Sequence, residues 1–136
     1  MPGWTYFAHT GKCYKKDPEK RFWSDNVNTC RLSHVPTSDM ASIHDEETNK
    51  FIGSLTSEDI HIGGYYVYEQ KAWKWTDSSA WNYTNWASDG LVGVYPFLLM
   101  VKEYEGYYKK GEWTTIKEIS STNWRRYWRS SVCQYD

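Results

Sequence analysis

Trp73, Trp75, Trp81 and Trp86 fall within fourteen residues of the stretch "AWKWTDSSAWNYTNWASDG" (72–90), with Tyr83 between them. So dense a run of indoles has two readings. One is an aromatic platform that stacks on a ligand such as a sugar. The other is the rigid core of a domain with little regular structure. Burying a large aromatic removes roughly 150–250 Å² from water, so a few of them replace many aliphatics. The chain holds 9 Trp and 12 Tyr in 136 residues, while Leu, Ile and Val are sparse, so its core must be rich in aromatic side chains. Residues 1–136 are read as one domain, long enough for a proper core.

Net charge is −1 and the pI is near 6.4, which gives no global electrostatic case for nucleic acid or an anionic membrane. The longest apolar run, "VYPFLLMV" (94–101), has the length of a strand rather than of a membrane span, so no membrane insertion is expected. The chain opens "MPGWTYF" with no charged or apolar leader segment. The expectation is either a cytosolic protein or one whose leader has been removed. Cys13, Cys30 and Cys133 form no Cys-x-x-Cys pair and no cluster with His at zinc-ligand spacing. A bridge between Cys30 and Cys133 would close nearly the whole chain, worth about 4–5 kcal/mol of loop entropy. Cys13 would then lack a partner, which suggests a removed partner or an intermolecular bond.

Along the chain, "WTYFAHTGKCYK" (4–15) predicts a β-hairpin around His-Thr-Gly. "RFWSDNVNTCRLS" (21–33) predicts a helix capped by Ser24, with Trp23, Val27 and Cys30 on one face. "SIHDEETNKFIGSL" (42–55) predicts a second helix. Ser42 or Asp45 is its cap, Glu46 and Glu47 sit at its positive end, and Phe51, Ile52 and Leu55 form its apolar face. "IHIGGYYVY" (60–68) reads as a strand in which Gly63 and Gly64 mark a close approach or a bulge. "AWKWTD" (72–77) alternates, with Trp73 and Trp75 on one face. Residues 78–96 read as a long loop, and such a loop in a compact domain is often functional. "PFLLMVKEY" (96–104), "EWTTI" (112–116) and "SSVCQYD" (130–136) complete the strands of an α+β domain.

With those elements in order, the chain resembles a C-type lectin-like domain over essentially its full length. The matching signals are "GWTYF…HTGKCYK", "W-SDNVNTC", "MASIHDEETNKFI", "HIGGYY", "WKWTDSSAWNYTNWA", "GEWTTI" and "SSVCQYD". Any one is weak, but seven in sequence are specific, and their style is similar to nematode members. The resemblance implies two helices flanking two small antiparallel sheets, paired terminal strands and a long loop region. It implies a Cys30–Cys133 bridge. It also implies that Cys13 belongs to the N-terminal bridge of the long form, whose partner would stand near Met1 and Pro2 and is expected to be trimmed or replaced.

The departures from the family pattern bear on function. Phe97 and about Glu118 stand where the family's second bridge would be. Calcium-dependent sugar-binding members carry Glu-Pro-Asn or Gln-Pro-Asp after the Asn-Trp pair, where this chain reads "ASDGLVGV". They later carry Trp-Asn-Asp, where this chain has Trp113, Thr114 and Thr115. Calcium takes six to eight oxygens, with carboxylates neutralising its charge, and threonine hydroxyls supply no charge. No calcium or other cofactor is therefore expected, with Asp89, Glu103 and Glu105 left as the residues for a displaced ion site.

The resemblance makes Trp73, Trp75, Trp81, Trp86 and Trp113 structural, at the base of the long loop. Asn82-Tyr83-Thr84 fits the N-glycosylation pattern, but its place in this packed segment argues against occupancy. A polar, tyrosine-rich hairpin (103–113) and the adjacent loop are the candidate ligand surface: Asp89, Tyr95, Glu103, Tyr104, Glu105, Tyr107, Tyr108 and Thr114. In "NWRRYWR" (123–129), Arg125, Arg126 and Arg129 are candidate contacts for an anionic ligand, an anionic glycan rather than nucleic acid. His9, His34, His44 and His61 lack catalytic motif partners, so no enzyme is expected. The implied function is recognition of a protein or glycan by a secreted or cell-surface domain. The alternative is a lectin that holds sugar through exposed aromatics or a residual calcium site.

Overall fold

The computed structural model describes residues 3–33, 36–119 and 124–136. Met1, Pro2, His34 and Asn123, on which parts of the sequence reading fall, lie outside the described residues. The predicted hairpin is formed by β1 (Thr5–Phe7) and β2 (Lys12–Arg21), antiparallel, with Gly11 supplying a positive φ of 71° in the turn. The second strand runs beyond its predicted end at residue 15. Its extension to Arg21 is paired with the last strand, β8 (Arg129–Tyr135), from Cys13 opposite Tyr135 to Arg21 opposite Arg129.

Helix α1 (Trp23–Ser33) buries Trp23, Val27 and Cys30 as the periodicity predicts, and Asn26 with them. Ser24 is not its cap. The Asn26 amide donates to the Phe22 carbonyl at 3.0 Å, so the helix starts two residues earlier, and the Ser24 hydroxyl turns outward to Glu118. The Trp23 indole donates to the Ile62 carbonyl at 2.9 Å. Cys30 and Cys133 are joined in a disulfide with Cα atoms 5.2 Å apart, clamping α1 to β8 across 103 positions of sequence. Cys13 carries a free thiol.

A short strand, β3 (Asp39–Met40), pairs with β8 and was not anticipated, because two residues carry no readable alternation. Helix α2 (Glu46–Ser54) is shorter than predicted, and of the two candidate caps Asp45 is the one used. Its carboxylate accepts from the Thr48 amide at 2.8 Å. Ser42 instead donates its amide to Gln134 Oε1 at 2.9 Å, and residues 42–44 precede the helix without regular structure. Ile52 is buried, while Phe51 stacks on Phe7 at 4.1 Å.

The remaining strands are β4 (Ile60–Val67), β5 (Ala72–Trp75), β6 (Phe97–Met100) and β7 (Trp113–Ile116). Gly64 satisfies both predicted roles. A Cβ there would lie 2.6 Å from Leu98 Cδ2, and the β4–β6 register shifts between His61 and Tyr65. The strands form two antiparallel groups, β1-β2-β8-β3 and β5-β4-β6-β7, joined into one eight-stranded sheet by a short parallel contact of β4 with β8. At that junction lies the fully buried His61. Asn26 Nδ2 donates to its Nδ1 at 2.9 Å and to the Arg129 carbonyl at 2.9 Å. The imidazole is thus neutral, with its proton on Nε2 facing the Tyr127 carbonyl without a full hydrogen bond. Burial, with the nearby Arg129 charge, pushes its pKa down to about 3.

Candidate functional site

The long loop between β5 and β6 rests on tryptophans. Trp75 and Trp113 are 1% and 0% exposed, and their rings meet edge to face at 5.8 Å. Trp81 lies 4.7 Å from Trp75, and Trp86 lies 5.0 Å from Trp73. The Trp113 indole donates to Asn49 Oδ1 at 2.8 Å, so the most buried ring has its one polar atom satisfied. Strand β7 also holds the loop backbone: the Trp113 amide donates to Asn85 O and the Ala87 amide to Trp113 O, both at 2.8 Å. Aromatic pairs of this kind add about 0.5–1.5 kcal/mol each beyond their area. The indoles therefore form the base of the loop. Asn82 departs from the packed position expected for it: its side chain is exposed, with Oδ1 2.8 Å from His44 Nδ1, between the half-buried Trp81 and Tyr83.

Above this base the candidate surface residues separate by depth. Tyr104 and Tyr107 are 64% and 66% exposed, at the tip of a tight turn closed by Tyr104 N to Tyr108 O at 2.9 Å. Gly106 provides the positive φ (78°) that this turn needs. Glu103 and Glu105 are exposed beside them. Tyr108 points the other way, and its hydroxyl donates to Asp89 Oδ2 at 2.8 Å. Thr114, expected at the surface, is buried at 5% and reaches the loop only by donating its hydroxyl to Asp89. The Leu91 amide donates to Asp89 Oδ1 at 3.1 Å.

Three donors therefore converge on one loop carboxylate. Partial burial alone pushes the Asp89 pKa up, but the bonds from Thr114, Leu91 and Tyr108 outweigh it and bring it below the usual range. Burial and the Asp89 carboxylate together push the Tyr108 phenol up to about 12. A cation at this point would compete with all three bonds. The Thr114 and Thr115 hydroxyls donate to Asp89 and to the Leu91 carbonyl. This donor set does not fit a hard divalent cation. Among the described residues, no group of three or more His, Cys, Asp or Glu side chains is placed to hold a metal ion, and Asp89, Glu103 and Glu105 form no such group.

On the outer face of β6 and β7, opposite the tryptophans, a cleft of about 450 Å³ opens toward the short 3₁₀ turn η1 (Trp124–Tyr127). Tyr95, Tyr108, Thr114, Arg126 and Arg129 all line it, so the structure brings part of the loop set and part of the arginine set to one place. Tyr104, Tyr107, Glu103 and Glu105 remain at the tip. Arg125 is exposed, 5.8 Å from the Trp128 ring.

The Lectin C-type domain family model matches residues 19–135. The chain belongs to the C-type lectin domain family. A lectin of Pleurodeles waltl is 32% identical over 91 residues, covering 62% of this chain and 51% of that protein. A coagulation factor IX/factor X-binding snaclec of Gloydius halys is 27% identical over 92 residues, covering 64% and 61%. The chain thus spans about half to three-fifths of the length of these relatives. Among solved structures, a calcium-independent type II antifreeze protein superposes with a TM-score of 0.79 at 19% identity, over 98% of this chain and 92% of that one, a likeness of fold. Domains of this family bind ligands and are not enzymes.

Sequence reasoning missed Lys117 and Tyr127 in the cleft of this C-type lectin-like domain. The signal was present in the alternation of "FLLMV". Leu98 and Met100 enter the tryptophan core, whereas Leu99 and Val101 face outward beside Ile116 and form the cleft floor.

Proposed function

We propose that residues 1–136 act as one recognition domain of a secreted or cell-surface protein. It binds a protein or glycan ligand through the long-loop face, with no bridging calcium. The observation that carries this reading is the engagement of Asp89 by Thr114, Tyr108 and the Leu91 amide. The Asp89 carboxylate is engaged in tying the loop to β7 and to the tyrosine hairpin. What the loop face offers instead is Tyr104 and Tyr107, amphipathic rings held out by a tight turn. The calcium-independent solved relative and the factor-binding snaclec are consistent with such a use of the fold. The long-range disulfide suits an oxidising compartment.

A glycan array run with and without calcium, beside capture of soluble proteins from extracellular fluid, divides the two ligand classes. The variant that tests the surface is Tyr104→Ala/Tyr107→Ala, because Tyr108 is tied to Asp89 and its removal would disturb the loop itself. Ligand capture should fall at least about tenfold in this variant. Unchanged capture would remove the hairpin tip from the reading.

A further inference from the structure

The cleft between β7 and η1 is not part of the exposed tip, and its chemistry is different. Lys117 Nζ lies 5.5 Å from the Tyr95 ring centre and 5.6 Å from that of Tyr127. Arg126 Cζ lies 5.5 Å from the same Tyr127 ring. Arg129 completes the set, its Nη1 fixed by the Arg126 and Trp128 carbonyls, both at 2.7 Å. Lys12, Lys16, Lys20, Arg21, Arg31 and Lys50 each hold a carboxylate. Among the described residues, Lys117, Arg126 and Arg129 hold none; Lys15, Lys71, Lys74, Lys102, Lys109 and Lys110 hold none either, but they do not line this cleft. The lining contains one acid, Asp59, whose Oδ1 is taken by the Lys102 amide at 2.8 Å.

Lys117 and Arg126 share the Tyr127 ring, and Arg129 lines the same cleft; against the single lining carboxylate, Asp59, the three cations leave a net positive charge that a bound anion offsets. The walls add a second requirement. Tyr95 and Tyr127 line the walls, and Leu99, Val101 and Ile116 form an apolar floor. The ligand must carry an acid group and an apolar face, and the phenols of Tyr95 and Tyr127 can pair with hydroxyls on it. We propose that this cleft binds an acidic saccharide, a sugar bearing a sulfate or a carboxylate. Its acid group lies among Lys117, Arg126 and Arg129, and its ring lies against Tyr95 or Tyr127. The cavity of about 450 Å³ falls within the range of small-ligand sites, enough for one or two sugar rings. A polyanion such as nucleic acid fits less well, because the whole chain carries a net charge of −1 and the cations are confined to one cleft.

The test is titration calorimetry on the full chain with a sulfated disaccharide, a carboxylated disaccharide and their neutral parent. Inorganic sulfate and a single-stranded oligonucleotide serve as controls. At least one acidic disaccharide should bind about tenfold or more tightly than the neutral parent, and binding should weaken with salt. Which one binds distinguishes sulfate from carboxylate as the recognised group. Lys117→Gln/Arg126→Gln should lower that affinity about tenfold or more with an unchanged melting temperature. Tyr104→Ala/Tyr107→Ala should bind as the parent chain does, which separates this site from the tip whatever becomes of the loop-face reading. The proposal is overturned if neither acidic sugar binds or if the neutral parent binds equally. It is equally overturned by full binding in the cleft variant, or by inorganic sulfate or the oligonucleotide binding as tightly as the sugar.

Discussion

Trp113 and Tyr107 stand six positions apart, yet one is completely buried and the other is 66% exposed. The contrast extends to their surroundings. Around Trp113 gather Trp75, Trp81, Tyr83 and Trp86, with Asn49 taking the indole proton. Among the described residues, the rings against Tyr107 are those of Tyr104 and Tyr108, on a turn closed by its own backbone. Both regions are aromatic-rich, so aromatic content alone says nothing about role. An indole has a large apolar body and one donor, and a single buried partner satisfies it. A phenol at a turn tip has no such partner and keeps its area available to a ligand. The tryptophans hold the loop, and the tyrosines face outward from it.

The largest expected effect that can break this comparison is at the base. Trp113→Ala should cost about 3–5 kcal/mol in urea unfolding, since it leaves a cavity and an unpaired Asn49 Oδ1. Tyr107→Ala should stay within about 0.5 kcal/mol. Equal losses at both positions would mean that the two regions are not distinct.

The second prediction concerns titratable groups. His61 has a folded pKa depressed to about 3, below its unfolded value near 6.5. The unfolded state therefore binds the proton first as pH falls. The contribution of His61 is complete above pH 6.5 and is lost toward pH 3, at up to about 1.4 kcal/mol per pH unit. His9, at the surface and raised by its bond to Asp45, acts in the opposite sense, its contribution being full below pH 6.5 and fading above its folded pKa. The Asp45 carboxyl is pushed up by burial, but bonds from Thr48 and His9 bring it down to about 2, so its contribution fades only below pH 4. The slope between pH 6 and 5 thus belongs mainly to His61, and nearer pH 4 the lowered carboxyls of Glu58, Asp77 and Asp89 add to it. Stability measured by denaturant titration between pH 6 and 5 should fall in the parent chain and flatten in His61→Gln. The tip variant Tyr104→Ala/Tyr107→Ala should reproduce the parent slope, and its stability should differ by less than about 0.5 kcal/mol, the smallest effect of the series.

Much of this architecture was legible in the sequence, and the misses have physical causes. Periodicity located α1 because Trp23, Val27 and Cys30 repeat on one face, and Gly63-Gly64 announced the bulge. The cap of α1 was misplaced because Ser24 is a good capping residue whose hydroxyl has a tertiary partner, Glu118, far along the chain. The same kind of distant partner hid the role of Thr114. A threonine in a polar stretch reads as surface, and only the return of Asp89 from the loop shows why it is buried. The cleft was half legible: its arginines were singled out, but their convergence with Tyr95 and Tyr108 depends on how β6, β7 and η1 pack.

The central claim is that the loop face is held by tryptophans and by Asp89's internal bonds, not by an ion. It is tested most directly by melting the chain in a chelator and in millimolar calcium. The account predicts the same melting temperature in both, because an ion with no site in the folded state adds no linkage stabilisation. A melting temperature raised by calcium, or lowered by the chelator, would contradict it.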